Sequence, residues 1–205
     1  MLNIYLARHG QDQDNVRGIL NGHRDEPLTE LGESQAQELA QKIKSAGIKF
    51  NKIYSSPLIR TSETAKIIAS ALLIEAPELM PLLIERDFGI MTGKPIAEIE
   101  SLCAPDILKT DTITYVLSPE GAETFPQLMI RAHAILEKIK TNHQDGDILL
   151  VTSGDIGKMI YASYYNLYWK DVLTMFHFGN SELLLLANNS PASNTHIFKT
   201  EQSNH

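Results

Sequence analysis

The chain has 205 residues, of which 43% are hydrophobic, so it is long and apolar enough for one large domain with a sizeable core. Its net charge of −7 argues against nonspecific nucleic-acid binding. The apolar start, Met1 to Leu6, is too short for a signal peptide or a membrane span. Cys103 is the only cysteine, which excludes an internal disulfide framework and a paired-cysteine metal site. These features predict a cytoplasmic protein with a single domain over residues 1–205 and without a membrane partner.

Predicted strands and helices alternate along the chain. In order, the sequence predicts a strand at 2–7, a long loop at 10–27, a helix around 31–43, a strand at 52–55, a helix from 57 to about 72, a short strand at 82–84, a helix near 97–102, a helix at 125–142, a strand at 147–152, a helix at 154–165 and a strand at 183–187. This alternation implies an α/β three-layer sandwich with a mainly parallel central sheet flanked by helices. Residues 93–123 are expected to form a small cap, and the Asn- and Ser-rich tail from Asn188 is expected to pack loosely.

Polar residues follow three of the predicted strands. Arg8 and His9 follow the first strand, Arg60 lies just beyond the second, and Ser153 and Gly154 follow the strand at 147–152. In sheets of this kind, ligands bind at the carboxyl ends of the parallel strands. We therefore expect these residues to converge on one edge of the sheet.

The residue types at this edge favour phosphate chemistry. Arginine presents a planar fork that matches two phosphate oxygens, and a neighbouring histidine can attack phosphorus through one ring nitrogen. Arg60 stands at the start of a predicted helix, where the helix N-terminus also favours an anion. Glu85 can supply a proton to a departing oxygen.

Several ordered motifs together resemble the histidine phosphatase superfamily, which includes phosphoglycerate mutases and fructose-2,6-bisphosphatases. In chain order the matching motifs are Leu6-Ala7-Arg8-His9-Gly10, Asn15, Gly22, Asp25-x-Pro27-Leu28-Thr29-x-x-Gly32-x-x-Gln35-Ala36, Ser55-Ser56-Pro57-x-x-Arg60-Thr61-x-x-Thr64-Ala65, Glu85-Arg86-x-Phe88-Gly89, Gly121-Ala122-Glu123-Thr124, Val151-Thr152-x-Gly154 and Gly179-Asn180-Ser181. The resemblance covers most of the chain, and it implies the phosphoglycerate mutase-like fold.

The resemblance also implies a role for each matching residue. His9 would be the nucleophile that becomes phosphohistidine, and Glu85 would be the general acid for the leaving oxygen and then the base for water. The phosphate-binding residues would be Arg8, Asn15, Arg60 and Gly154. Such a pocket stabilises charge through its side chains, so neither a metal nor another cofactor is expected.

Other residues are weaker candidates for contact with the substrate. They are Gly22, His23, Arg86 and Lys94. For His23 the alternative is an ordinary surface residue, and for Arg86 and Lys94 it is a solvated charge. His177 could substitute for a missing catalytic histidine, but a packed or half-buried side chain is the favoured interpretation.

The chain departs from the family pattern at two positions. Relatives in this family place a second catalytic histidine where this chain has Ser153, and serine supplies one hydrogen bond but no positive charge. Removing one such donor typically costs on the order of 10²- to 10³-fold in rate. Asp12 stands where many relatives have Ser or Thr, and its carboxylate would repel phosphate unless it faces solvent or pairs with a cation.

Three functions fit these observations. The first is a hydrolase of a small phosphorylated metabolite, which the short segment between Glu85 and Ser153 favours over a mutase. The second is a phosphoglycerate mutase, and the third is a non-catalytic protein that binds a phosphate ligand. The aromatic cluster from Tyr161 to Trp169 is expected to form core packing or a subunit contact. The second alternative would make the protein a homodimer.

Overall fold

The computed structural model describes residues 1–187 and 196–198. The strands are β1 (Leu2–Arg8), β2 (Lys52–Ser55), β3 (Glu78–Leu79), β4 (Ile107–Lys109), β5 (Thr114–Val116), β6 (Gly146–Thr152), β7 (Leu183–Leu186) and β8 (His196–Phe198). The helices are α1 (Gln13–Arg17), α2 (Glu30–Ser45), α3 (Ile59–Leu72), α4 (Ile99–Cys103), α5 (Phe125–Asn142), α6 (Gly154–Tyr164) and α7 (Trp169–Met175). The prediction for the tail from Asn188 concerns residues that lie largely outside this description.

The central sheet is mixed. Its strand order is β3-β2-β6-β1-β7-β8, in which the first four strands run parallel and β7 and β8 pair antiparallel. The predicted α/β class is therefore confirmed, with antiparallel pairing confined to one edge. In the pairing of β1 with β6, Arg8 lies opposite Thr152, so His9 and Ser153 leave the sheet side by side.

Side chains alternate along the strands and build one apolar core on each face of the sheet. Strand residues such as Ile4, Leu6 and Leu150 pack with α5, α6 and α7. Their neighbours Tyr5 and Ala7 pack on the opposite face with α2 and α3. Successive strand side chains point to opposite faces of the sheet, and each flanking helix buries one apolar stripe against a face. The fold therefore has three layers.

Four predictions about local structure were wrong. Residues 10–27 are not all loop, because Asp12 caps the short helix α1. The strand expected at 82–84 lies earlier, at β3, and a 3-10 helix occupies Pro81–Leu83. Helix α3 begins at Ile59, two residues later than predicted from Pro57. The hairpin β4–β5 was missed within 93–123, because strands of three residues show little alternation.

The aromatic cluster on α6 and α7 is mainly core packing. Tyr161 is buried, and Trp169 stacks on Phe125 with ring centroids 5.1 Å apart. Tyr168 is 59% exposed. Among residues 1–187 and 196–198, no helix is long and apolar enough to cross a membrane.

Candidate active site

His9 is held rigidly at the carboxyl end of β1. Its backbone N–H donates to the carbonyl of Thr152 at 3.0 Å. The His9 carbonyl accepts from the Ser181 N–H at 3.2 Å and from Asn180 Nδ2 at 3.0 Å. The side chain is almost fully buried. The matched Gly-Asn-Ser motif therefore positions the residue that carries the predicted chemistry.

The imidazole of His9 is fixed in one tautomer. Its Nδ1 lies 2.7 Å from the carbonyl oxygen of Gly10. A carbonyl can only accept, so Nδ1 carries the proton and Nε2 keeps its lone pair. Burial lowers the pKa of His9 well below its usual value, and Arg60 and Arg8 lower it further. The ring is therefore neutral near pH 7 and Nε2 is a competent nucleophile.

Two arginines flank this ring. Arg8 donates through Nη1 to the carbonyl of Phe178 at 2.7 Å, while its buried Nε makes no hydrogen bond within the described chain. Arg60 is fully buried and donates to the carbonyls of Arg24 at 2.7 Å and Gly22 at 2.8 Å. Both guanidinium groups are thus oriented by backbone carbonyls before any ligand binds, which is what rapid phosphate recognition requires.

Asp12 is buried and pairs with Arg60. Its Oδ2 lies 3.3 Å from Arg60 Nε and accepts from Asn21 Nδ2 at 2.7 Å. Its Oδ1 accepts from the backbone N–H of Asn15 at 2.7 Å. Burial raises the pKa of the Asp12 carboxyl group, and Arg60 opposes that rise. The second alternative for Asp12, pairing with a cation, is therefore confirmed.

Ser153 stands at the start of α6 with an unsatisfied hydroxyl group. The residue is fully buried, and its Oγ makes no hydrogen bond to any residue that the structure describes. A Cβ built on the next residue, Gly154, would lie 3.8 Å from both Arg8 Cζ and Glu85 Oε2. The start of α6 therefore lies between the arginine and the glutamate of the predicted site.

The Glu85 carboxylate is aimed at the same place. It accepts hydrogen bonds from the backbone N–H groups of Arg86 at 2.8 Å, Asp155 at 3.2 Å and Ile156 at 3.2 Å. Two of these donors belong to the first turn of α6, which binds anions readily. The helix thus fixes a carboxyl group beside Arg8 and Gly154.

Arg131, on α5, holds the segment that carries Glu85. It donates to the carbonyls of Leu82 at 2.7 Å, Ile84 at 2.5 Å and Glu85 at 3.2 Å. It also pairs with Glu123. Sequence reasoning missed this residue, because nothing in the spacing of α5 distinguishes a half-buried arginine from a solvated one.

The four weaker candidates have different environments. His23 lies with Nε2 2.8 Å from the carbonyl of Glu85, and Gly22 supports Arg60 through its carbonyl. Lys94 is exposed and does not line the cavity described below. Arg86 is not a solvated charge: it is fully buried, with Nε 3.0 Å from Asp155 Oδ2.

A cavity of about 410 Å³ opens beside these groups. It is lined at one end by the site residues Arg8, Asn15, Glu85, Gly154 and Asn180. The rest of its wall comes from the β4–β5 hairpin, from apolar residues and from a buried charged cluster of Arg86, Asp155 and Lys158. Half-buried His177 also lines it. In the described part of the chain, no three His, Cys, Asp or Glu side chains are grouped so as to hold a metal ion.

Comparison with known proteins places these residues in a family. The profile of the histidine phosphatase superfamily (branch 1) matches residues 4–189. The chain belongs to the histidine phosphatase superfamily. It is 34% identical over 160 residues to the "Probable phosphoglycerate mutase GpmB" of Yersinia pestis, covering 75% of this chain and 70% of that protein.

A second relative and a solved structure extend the comparison. The chain is 43% identical over 101 residues to the "Probable phosphoglycerate mutase GpmB" of Proteus mirabilis, a match that spans 49% of this chain but only 46% of that protein. A phosphoserine phosphatase from Entamoeba histolytica, solved with 3-phosphoglyceric acid, superposes with a TM-score of 0.73 at 26% identity and 90% coverage of both chains. These proteins support an enzyme of the histidine phosphatase and mutase type.

Within this histidine phosphatase site, two buried residues were not foreseen. Asp155 and Lys158 follow the Ser153-Gly154 pair on the first turns of α6, and both line the cavity. Their spacing of three residues places them on one helix face, but that pattern is also typical of an exposed ion pair. The sequence therefore carried no signal that this face of α6 is covered.

Proposed function

We propose that the chain is a metal-independent phosphomonoester hydrolase that forms a phosphohistidine on His9 and acts on a small phosphorylated metabolite in the cytoplasm. The observation that carries the proposal is the state of the His9 ring. Its Nδ1 is bound to the Gly10 carbonyl, its pKa is lowered, and Nε2 lies among arginines that backbone carbonyls orient. A neutral imidazole in cationic surroundings is suited to attack phosphorus.

The first half-reaction transfers the phosphoryl group to the protein. His9 Nε2 forms a bond to phosphorus while the bond between phosphorus and the ester oxygen breaks. The protonated Glu85 carboxyl group gives its proton to that oxygen, so the leaving group departs as an alcohol. The unsatisfied Arg8 Nε and Ser153 Oγ are donors available to the phosphoryl oxygens.

The second half-reaction returns the protein to its starting state. Glu85, now a carboxylate, accepts a proton from a water molecule as that water attacks phosphorus. The bond between phosphorus and Nε2 breaks, and inorganic phosphate leaves. Open cavities favour this step, because water reaches the phosphohistidine before a second acceptor does.

Ser153 is proposed to slow this cycle without abolishing it. Its hydroxyl group can donate one hydrogen bond to the phosphoryl group but contributes no positive charge. The paired Asp12 also offsets part of the charge of Arg60. The names of the GpmB relatives favour a mutase as the second candidate, in which the phosphoryl group returns to the product instead of passing to water.

The test is hydrolysis of p-nitrophenyl phosphate, with a metal chelator present, by the unsubstituted chain, Ser153→His and His9→Asn. We expect turnover by the unsubstituted chain, an increase of about 10²-fold or more in Ser153→His, and no turnover in His9→Asn. If the unsubstituted chain and Ser153→His are both inert but bind inorganic phosphate, the protein is a phosphate-binding protein and the proposal is wrong. Activity that the chelator removes would contradict the metal-independent mechanism.

A further inference from the structure

The cavity beside His9 is large enough to hold the leaving group of the ester. At about 410 Å³ it is within the range of roughly 300–1,000 Å³ that is typical of small-molecule sites. Its charged groups decide which leaving groups it can accept. Arg8 serves the phosphoryl end, so the described arginine and lysine side chains that remain to recognise a leaving group are Arg86 and Lys158.

The guanidinium group of Arg86 is already paired with other residues of the protein. Its Nη2 donates to the carbonyl of Val116 at 2.7 Å, and its Nε faces Asp155. The guanidinium carbon of Arg86 lies 4.8 Å from the ring centroid of Phe88 and 4.2 Å from that of Phe125. Its charge is therefore paired with Asp155, and its Nη1 and Nη2 donate to the carbonyls of Leu117 and Val116 rather than to the cavity.

The ammonium group of Lys158 is likewise already bound to other residues of the protein. Its ammonium group donates to Tyr115 Oη at 2.8 Å, to the carbonyl of Leu173 at 3.1 Å and to the carbonyl of Phe176. An ammonium group has three hydrogens, and these three acceptors use all of them. A carboxylate in the cavity would therefore find no free cationic donor on Lys158.

Asp155 has the opposite character, because it can still accept hydrogen bonds. Its Oδ2 faces Arg86, yet no hydrogen bond from any described residue ends on its carboxylate. Its side chain is 12% exposed and lines the cavity. Burial raises the pKa of Asp155 to about 6, against the opposing effect of Arg86, so its negative charge is incompletely compensated.

We propose that this cavity is a leaving-group subsite in which Asp155 receives hydroxyl or ammonium donors of the substrate, and that it rejects leaving groups that carry a carboxylate. The substrates are then phosphomonoesters of polyols or amino alcohols rather than of hydroxy acids. A substrate carboxylate would lie beside the Asp155 carboxylate with both buried cations already occupied, so it would give up part of its hydration without gaining a cationic partner. This inference rests on the proposed phosphohydrolase function and names its substrate class.

The test compares two substrates that differ only in this group. Glycerol 3-phosphate and 3-phosphoglycerate share a three-carbon skeleton, and a hydroxymethyl group in the first replaces the carboxylate of the second. We expect kcat/KM for glycerol 3-phosphate, and for phosphoethanolamine, to exceed that for 3-phosphoglycerate by about tenfold or more. Equal or better turnover of 3-phosphoglycerate would overturn the inference. Hydrolysis of p-nitrophenyl phosphate distinguishes that result from failure of the proposed function: an inactive aryl-ester assay contradicts the function, whereas an active one with equal or better turnover of 3-phosphoglycerate contradicts only the inference.

Substitutions test whether Asp155 causes this preference among substrates. In Asp155→Asn we expect the ratio of kcat/KM for phosphoethanolamine to that for glycerol 3-phosphate to fall by about tenfold, because an amide accepts from a hydroxyl group but does not attract an ammonium group. The matched control is Asp111→Asn, since Asp111 also lines the cavity but lies exposed on the hairpin. An equal fall in the control would overturn the role of Asp155. The comparison of the two substrates with the unsubstituted chain decides the inference even if Asp155→Asn does not fold.

Discussion

Arg131→Met should weaken the protein and detach Glu85 from its anchor. The change keeps a long apolar stem but removes donors from the carbonyls of Leu82, Ile84 and Glu85 and from the Glu123 carboxylate. At about 1 kcal/mol for each carbonyl left without its charged donor, the free energy of unfolding should fall by about 3 kcal/mol. For a chain of this size that corresponds to a melting temperature lower by about 6–12 °C.

The kinetic effect should depend on the leaving group. p-Nitrophenolate departs without protonation, whereas an alkoxide needs the proton of Glu85. We therefore expect kcat to fall at least about tenfold more for glycerol 3-phosphate than for p-nitrophenyl phosphate in Arg131→Met, while the Kd for inorganic phosphate changes little. Urea unfolding, steady-state kinetics and phosphate titration measure the three quantities.

A surface arginine provides the control. Arg17 is 56% exposed, and Asp14, the buried one of its two partners, keeps its closer pair with Arg24 when Arg17 is removed. Arg17→Met should therefore alter none of the three quantities appreciably. A loss of less than about 1 kcal/mol of stability in Arg131→Met, or slowing of both esters by the same factor, would contradict these expectations.

Three further changes probe the phosphate end of the site. Asp12→Asn should tighten the binding of inorganic phosphate about tenfold, because it removes a negative charge paired with Arg60; calorimetry that shows weaker binding would contradict this. The unsubstituted chain should lose about 2 kcal/mol more stability than His9→Asn between pH 7 and pH 5, because the lowered pKa of His9 means that only the unfolded chain gains a proton on this residue below about pH 6.5. Equal losses in urea unfolding would refute that assignment. Gly10→Ala should destabilise the fold by about 1–3 kcal/mol, since its Cβ would lie 2.2 Å from the carbonyl oxygen of Gly32; an unchanged urea midpoint would exclude this contact.

The order of strands and helices was predictable from local patterns. Strand β6 carries a continuous apolar run and helix α5 an apolar period of 3.6 residues, and both lie close to their predicted positions. The convergence of His9 and Ser153 followed from the rule that parallel strands share one carboxyl edge, and the register of β1 with β6 places them side by side. Glu85 was harder to place, because only the resemblance indicated that an irregular segment returns to that edge.

The environment of individual charges was not predictable. Arg86 and Lys158 are charged residues of types that are usually exposed, yet the structure buries both under residues from distant segments. The short hairpin β4–β5 provides part of that cover, and it has too few residues to show a period. Burial of this kind depends on tertiary packing, which local spacing does not encode.

The most direct test of the central claim is detection of the phosphoryl group on His9 during turnover. The chain is mixed with p-nitrophenyl phosphate, quenched in base, where phosphohistidine survives, and analysed by intact and peptide mass spectrometry. We expect one phosphoryl group for each chain, mapped to His9, lost on mild acid treatment and absent in His9→Asn. Steady turnover without any adduct, together with full activity of His9→Asn, would contradict it.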